Sequence, residues 1–186
     1  ADPVLVHAAL ALRDGRLAEA EAPLRRRLKA HPDDVAAIRM LAELAARLGR
    51  YENAGALLER ALALSPGFDA ARHNYALVLQ RDNRPEEALE QIDRLLARTP
   101  ADPGYRLLKA AILVRLGDYD PAVRLYEALV RDQPDFAPGW LSLGHALKTI
   151  GRNADAIAAY RRALSISSEL GEAWWSLANL KTFRFE

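Results

Sequence analysis

Residues 140–147 read Trp-Leu-Ser-Leu-Gly-His-Ala-Leu, and residues 156–163 read Ala-Ile-Ala-Ala-Tyr-Arg-Arg-Ala. In the first stretch Trp140, Leu143, Gly144 and Leu147 fall at i, i+3, i+4 and i+7, which is one face of a helix. In the second, Ala156, Tyr160 and Ala163 at i, i+4 and i+7 make another such face. Gly151 stands between them, and charged residues such as Lys148, Arg152, Asp155, Arg161 and Arg162 suit the outer surface. The reading is two amphipathic helices joined by a short turn. No part of the chain alternates as a strand would.

Outward from this pair the same pattern recurs every 34 residues. Pro32, Pro66, Pro100 and Pro134 keep that spacing, and so do Ala20, Ala54, Ala88, Ala122 and Ala156. A small residue recurs at Ala8, Ala42, Ala76, Ala110, Gly144 and Ala178. Small residues on both helices imply that the two backbones approach closely. Gly15, Gly49, Gly117 and Gly151 share the grid, and Asn83 fills the place where a Gly is missing. Asn is the natural substitute where a chain leaves a helix through positive φ. Proline cannot extend the helix before it. Acidic residues just after it (Asp33, Asp34, Asp102, Asp135, Glu169) suit the start of the next helix. A repeat of this length predicts an all-α stacked array.

The composition fits such an array. The chain has 186 residues, 51% hydrophobic and 27% charged, with 26 Lys and Arg against 25 Asp and Glu. A net charge of +1 gives no general attraction to a polyanion, so nucleic acid is not expected as a partner. No uncharged apolar run approaches the roughly 20 residues needed to span a bilayer, so no membrane is expected either. The absence of Cys excludes disulfides and thiolate chemistry without fixing a compartment, and the cytoplasm is the default. The start, Ala-Asp-Pro, reads as an excised segment or a tag remnant.

These residues resemble the tetratricopeptide repeat (TPR), whose pattern is Trp-x2-Leu-Gly-x2-Tyr, then Ala-x3-Phe, Ala and Pro. The resemblance covers a single solenoid over 1–186, with repeats 1–34, 35–68, 69–102, 103–136 and 137–170 and a half repeat, 171–186. The fifth repeat matches best, although Ser168 replaces its Pro and Leu147 its Tyr. The first and fourth are weaker, with Val4 and Arg106 in the Trp place. Arg27, Leu95 and Leu129 fill a later position that is normally small, so packing is expected to differ there. The resemblance implies a right-handed superhelix of antiparallel helix pairs, five repeats plus one extra C-terminal helix. Its first helices would line a concave groove that binds a protein or peptide.

The chemistry of catalysis is not in the sequence. His7, His31, His73 and His145 lie in different repeats, without metal-ligand spacing. Acidic pairs such as Asp33-Asp34 and Glu86-Glu87 sit at helix starts, where the macrodipole explains them. No strand precedes a glycine-rich phosphate loop. Neither a catalytic residue nor a cofactor or metal site is expected.

The run from Trp174 through Phe185 (Trp-Trp-Ser-Leu-Ala-Asn-Leu-Lys-Thr-Phe-Arg-Phe) resembles the junction of bacterial proteins that join these repeats to a sulfotransferase domain. That resemblance implies a parent in which the repeats position substrate for a catalytic domain missing from this chain. An ordinary capping helix would show similar residues. The half repeat is apolar on more than one side, which predicts burial on more than one side. Trp175, Leu180, Phe183 and Phe185 are therefore candidates for contact with a second copy or a downstream domain.

The groove positions that the family implies carry Arg39, Glu43, Arg47, Arg81, Arg115 and Lys148 in repeats two to five, five cations and one anion. His73, Asn74, Gln80 and His145 add neutral polar groups. Arg13, Arg47, Arg81 and Arg115 form a row with the period of the repeat and could hold an acidic ligand bidentately. The same arginines stand in last helical turns, where a cation also satisfies terminal carbonyls, and the two roles are compatible. The family's carboxylate clamp wants Lys, Asn and then Asn where this chain has Arg39, Glu43 and Asn74. An asparagine ladder, as in the repeats of O-linked sugar transferases, would need Asn at Met40, Leu108, Ser142 and Ser176 as well as Asn74. Neither ligand class is expected.

Overall fold

The computed structural model describes residues 2–180, and among these it contains eleven α-helices and no strand. The chain divides into two compact units that meet in sequence at Arg98 and Thr99. The first holds α1 (Pro3–Arg13), α2 (Leu17–Ala30), α3 (Val35–Arg47), α4 (Tyr51–Leu64), α5 (Asp69–Arg81) and α6 (Pro85–Leu96). The second holds α7 (Pro103–Leu116), α8 (Tyr119–Asp132), α9 (Ala137–Thr149), α10 (Asn153–Ile166) and α11 (Gly171–Asn179).

Consecutive helices pair within every repeat, and each second helix packs on the first helix of the next repeat in its unit. First helices also touch one another, α1 with α3 and α3 with α5 in one unit, α7 with α9 in the other. Within each unit they form a layer and the second helices pack against it, which is the TPR arrangement. The turn grid behaves as expected. Gly15, Gly49, Gly117 and Gly151 have φ between 73° and 86°, and Asn83 takes φ 60° in the same place.

The small-residue grid marks the contacts within the pairs. Ala20, Ala54, Ala88, Ala122 and Ala156 are fully buried, as are Ala8, Ala42, Ala76 and Ala110. Gly144 goes further, since a Cβ there would stand 2.5 Å from the Tyr160 ring. Ala178 departs from the pattern and is exposed, because no second helix follows it among the described residues. Where the later small position is filled by something larger, two solutions appear. Leu95 and Leu129 are wholly buried. Arg27 is pulled out of the apolar layer by two carboxylates, Asp2 at 2.6 Å and Asp34 at 2.8 Å.

The acidic residues at repeat boundaries divide between two tasks. Asp34 caps α3 by accepting from the Ala36 and Ala37 amides, and Asp102 caps α7 by accepting from Tyr105 N. Asp33 and Asp135 cap nothing. Each receives an arginine of the following second helix, Arg60 at 3.2 Å and Arg162 at 3.1 Å, and that arginine also donates to the carbonyl of the adjacent Pro32 or Pro134.

Candidate functional site: the first-helix face

In the first unit, Glu43, Ala46 and Arg47 of α3 face Asn74, Leu77, Val78 and Arg81 of α5 across a cleft of about 270 Å³. Leu58 of α4 closes the cleft below. The α5 residues are spaced i, i+3, i+4 and i+7, so one face of that helix makes the whole wall. Leu58 and Val78 are buried, Asn74 and Leu77 are half-buried, and Arg47 and Arg81 stand exposed at the rim.

The cations on this face are not equivalent. Glu43 accepts from Arg47 Nη2 at 2.7 Å and lies 3.4 Å from Arg39 Nη1, so a single carboxylate holds both arginines. Arg47 also donates through Nη1 to the Leu12 carbonyl in the last turn of α1. That is the helix-end role open to this row of arginines, but the helix it serves belongs to the preceding repeat. Arg81 is different: among the described residues it donates to no carboxylate or carbonyl, and the Asn74 amide, two helical turns earlier on the same wall, makes no side-chain hydrogen bond. The excess of positive charge is thus narrower than the residue types suggest. The i,i+4 spacing of Glu43 from both Arg39 and Arg47 was the signal for this in the sequence. The apolar floor of Ala46, Leu58, Leu77 and Val78 was not singled out, since apolar residues on an inward helix face resemble core.

His73 is half-buried on α5. In the second unit, Arg115 and Lys148 are exposed at the ends of α7 and α9. His145 of α9 is built in more firmly. Its Nδ1 is 2.9 Å from the Tyr160 hydroxyl, the two rings meet edge-on at 5.3 Å, and Nε2 lies 3.2 Å from a carboxylate oxygen of Glu172 on α11. Burial holds its pKa below the usual histidine value; Lys148 pushes the same way, and Glu172 opposes. Tyr126, one repeat earlier, is pushed up to about 12 by burial while its hydroxyl is paired with Ser142.

On α11, Ala173 and Ser176 are buried, and Leu177 and Leu180 pack on the core of the second unit. Leu180 is therefore engaged with its own unit. Trp174 and Trp175 remain 58% and 71% exposed. Phe183 and Phe185 lie outside the described residues. No group of three or more His, Asp or Glu among the described residues could hold a metal ion, and no described helix is long and apolar enough to cross a membrane.

Solved structures share this fold. One is YrrB, described as a TPR protein with an unusual peptide-binding site; it is 19% identical, with a TM-score of 0.71 over 95% of this chain and 91% of that one. Another is a TPR protein from Parabacteroides merdae ATCC 43184, 20% identical, with a TM-score of 0.86 over 96% and 70%. A third is residues 41 to the end of MamA from Desulfovibrio magneticus RS-1, 18% identical, with a TM-score of 0.76 over 91% and 98%. No curated protein sequence matches the chain. One tetratricopeptide repeat family model matches residues 45–112, and a second matches 5–67 and 107–170. With two thirds of its length under the second model alone, the chain belongs to the tetratricopeptide repeat family.

Proposed function

We propose that the chain is a non-catalytic interaction scaffold, with the cytoplasm as its default compartment, and that the face of its first helices binds an acidic peptide or a neighbouring domain. The observation that carries this reading is Arg81, a cation that pairs with no carboxylate among the described residues and stands exposed at the rim of an open cleft. YrrB, which shares the fold, is itself described as having a peptide-binding site. The test is a random-peptide display selection on the folded chain, followed by counter-selection on Arg81→Glu, Lys148→Glu. Acidic sequences should be enriched and then lost on the double variant. Enrichment of neutral or basic sequences, or none, would refute the reading.

A second reading concerns the C-terminal end. We propose that the exposed Trp174 and Trp175 meet another protein surface, either a second copy or a downstream sulfotransferase domain in the parent. The support is the exposure of two adjacent indoles together with the resemblance of the run from Trp174. Because Leu180 packs on its own unit, the informative variant is Trp175→Glu alone. Light scattering should show association for the wild type and a monomer for the variant. A wild type that stays monomeric at high concentration argues against self-association, and a coding sequence with no sulfotransferase domain after Phe185 removes the other partner.

A further inference from the structure

The cleft between α3 and α5 has two chemically distinct parts. Its floor is apolar: Leu58 is fully buried and Val78 nearly so, with Ala46 and Leu77 completing it. Its rim is polar and mostly cationic, with Arg81 and Asn74 on the α5 side and Arg47 on the α3 side. Glu43, the rim's carboxylate, is already shared by Arg47 and Arg39, so it presents little free negative charge to a ligand. An apolar cavity of about 150 Å³ accepts a benzene molecule, so a cleft of about 270 Å³ takes one Leu-, Met- or Phe-sized side chain.

Resting on the reading that the first-helix face binds acidic peptides, we infer that this cleft is a two-part anchor. One aliphatic or aromatic side chain of the peptide fills the space over Leu58, Leu77 and Val78. The carboxylate of a neighbouring residue pairs with Arg81, and Asn74, on the other side of Leu77 and Val78, hydrogen-bonds the peptide backbone beyond the apolar side chain. The ligand class is an extended segment in which acidic and large apolar residues alternate. Two physical arguments favour this occupant over a purely acidic one. A carboxylate seated over the apolar floor would lose its hydration without a partner. A purely apolar peptide would leave Arg81 and Asn74 covered and unpaired, which costs more than leaving them in water.

The probe is a fluorescein-labelled peptide of alternating Glu and Leu, with a Gln-Leu and a Glu-Ala peptide as controls, followed by anisotropy and by methyl NMR of the full chain. Both controls should bind at least about tenfold more weakly than the Glu-Leu peptide, since each removes one part of the anchor. Arg81→Glu should weaken the Glu-Leu peptide by a similar factor. So should Ala46→Met, which fills the cleft from a half-buried helical position and keeps the helix-forming character of the residue. Circular dichroism checks that both variants are folded. The methyl shifts should concentrate on Leu58, Leu77 and Val78.

Three results would overturn the inference. Equal binding of the three peptides removes the two-part anchor. Binding abolished by Lys148→Glu but indifferent to Arg81→Glu and Ala46→Met puts the ligand elsewhere on the first-helix face, and leaves the broader reading standing. An absence of methyl shifts at millimolar peptide removes the cleft as a site, while the display selection judges the broader reading by itself.

Discussion

The fourth residue of a repeat can donate a hydrogen bond back to a carbonyl in the turn that follows the preceding second helix. Trp140 Nε1 reaches Pro134 O at 2.9 Å, and Trp174 Nε1 reaches Ser168 O at 3.0 Å. Arg72 Nη2 makes the same bond to Pro66 O at 2.7 Å, so arginine substitutes for tryptophan as donor there. Arg106, in the equivalent place, turns to Asp132 instead. Sequence alone exposes the missing Trp but not the replacement bond, because the pattern records ring size and the structure uses an N–H. The small positions of the five full repeats were legible, and they carry two expectations. Ala88→Leu should cost about 1–3 kcal/mol, since the fully buried Ala88 leaves no room for three added carbons, and a drop in the thermal midpoint would register it. Gly144→Ala sets two effects against each other. Replacing a helical Gly gains about 1 kcal/mol, while the new methyl would press on the Tyr160 ring, an overpacking cost of about 1–3 kcal/mol. Tyr160 is fully buried and tied to His145, so it has little room to yield. We expect net destabilisation, and a raised midpoint would show that the ring shifts freely.

At the scale of elements, α11 is held to α9 and α10 by packing and by polar links, His145 to Glu172 and Tyr160 to Ser176. The sequence placed His145 on the first-helix face as a lone histidine and could not show its partners, since Tyr160 and Glu172 come from two other helices. The burial of His145 makes the second unit sensitive to pH. Burial, with Lys148 alongside, lowers the folded pKa of His145 beneath its ordinary value of 6.5, so the unfolded chain takes up the proton first. The stability tied to neutral His145 is then complete above about pH 6.5 and is lost as pH falls through the lower folded value. His145→Gln removes the titration. The midpoint difference between wild type and variant should therefore be larger at pH 7.5 than at pH 5.5. A constant difference would mean that Glu172 cancels the burial effect.

Across the whole molecule, a net charge of +1 hides local inequality. The period, the helix pairs and the turns were all readable from one chain because each depends on local spacing. The availability of charge was not, because it depends on which carboxylate reaches which arginine. Arg39 and Arg47 are held by Glu43, so the cations with spare capacity on the first-helix face include Arg81 and Lys148. An acidic ligand should bind less well as salt rises, since the screening length falls from about 10 Å at 0.1 M to about 3 Å at 1 M. Arg81→Glu with Lys148→Glu should flatten that salt dependence more than Arg47→Glu, whose arginine is already committed to Leu12 and Glu43. Titration of an acidic peptide at several ionic strengths decides this, and equal slopes for all variants would contradict it.

The bond from Trp140 to Pro134 spans one turn of chain, and helix contacts within each unit join neighbours or next neighbours in sequence. Among the described residues, the helix pairings inside each unit do not wait for a distant segment to be made. Low contact order of this kind favours fast folding, because little loop entropy is lost before contacts form. It also allows nucleation at any repeat. A chain built this way can acquire its helix pairs in the order in which a ribosome releases them.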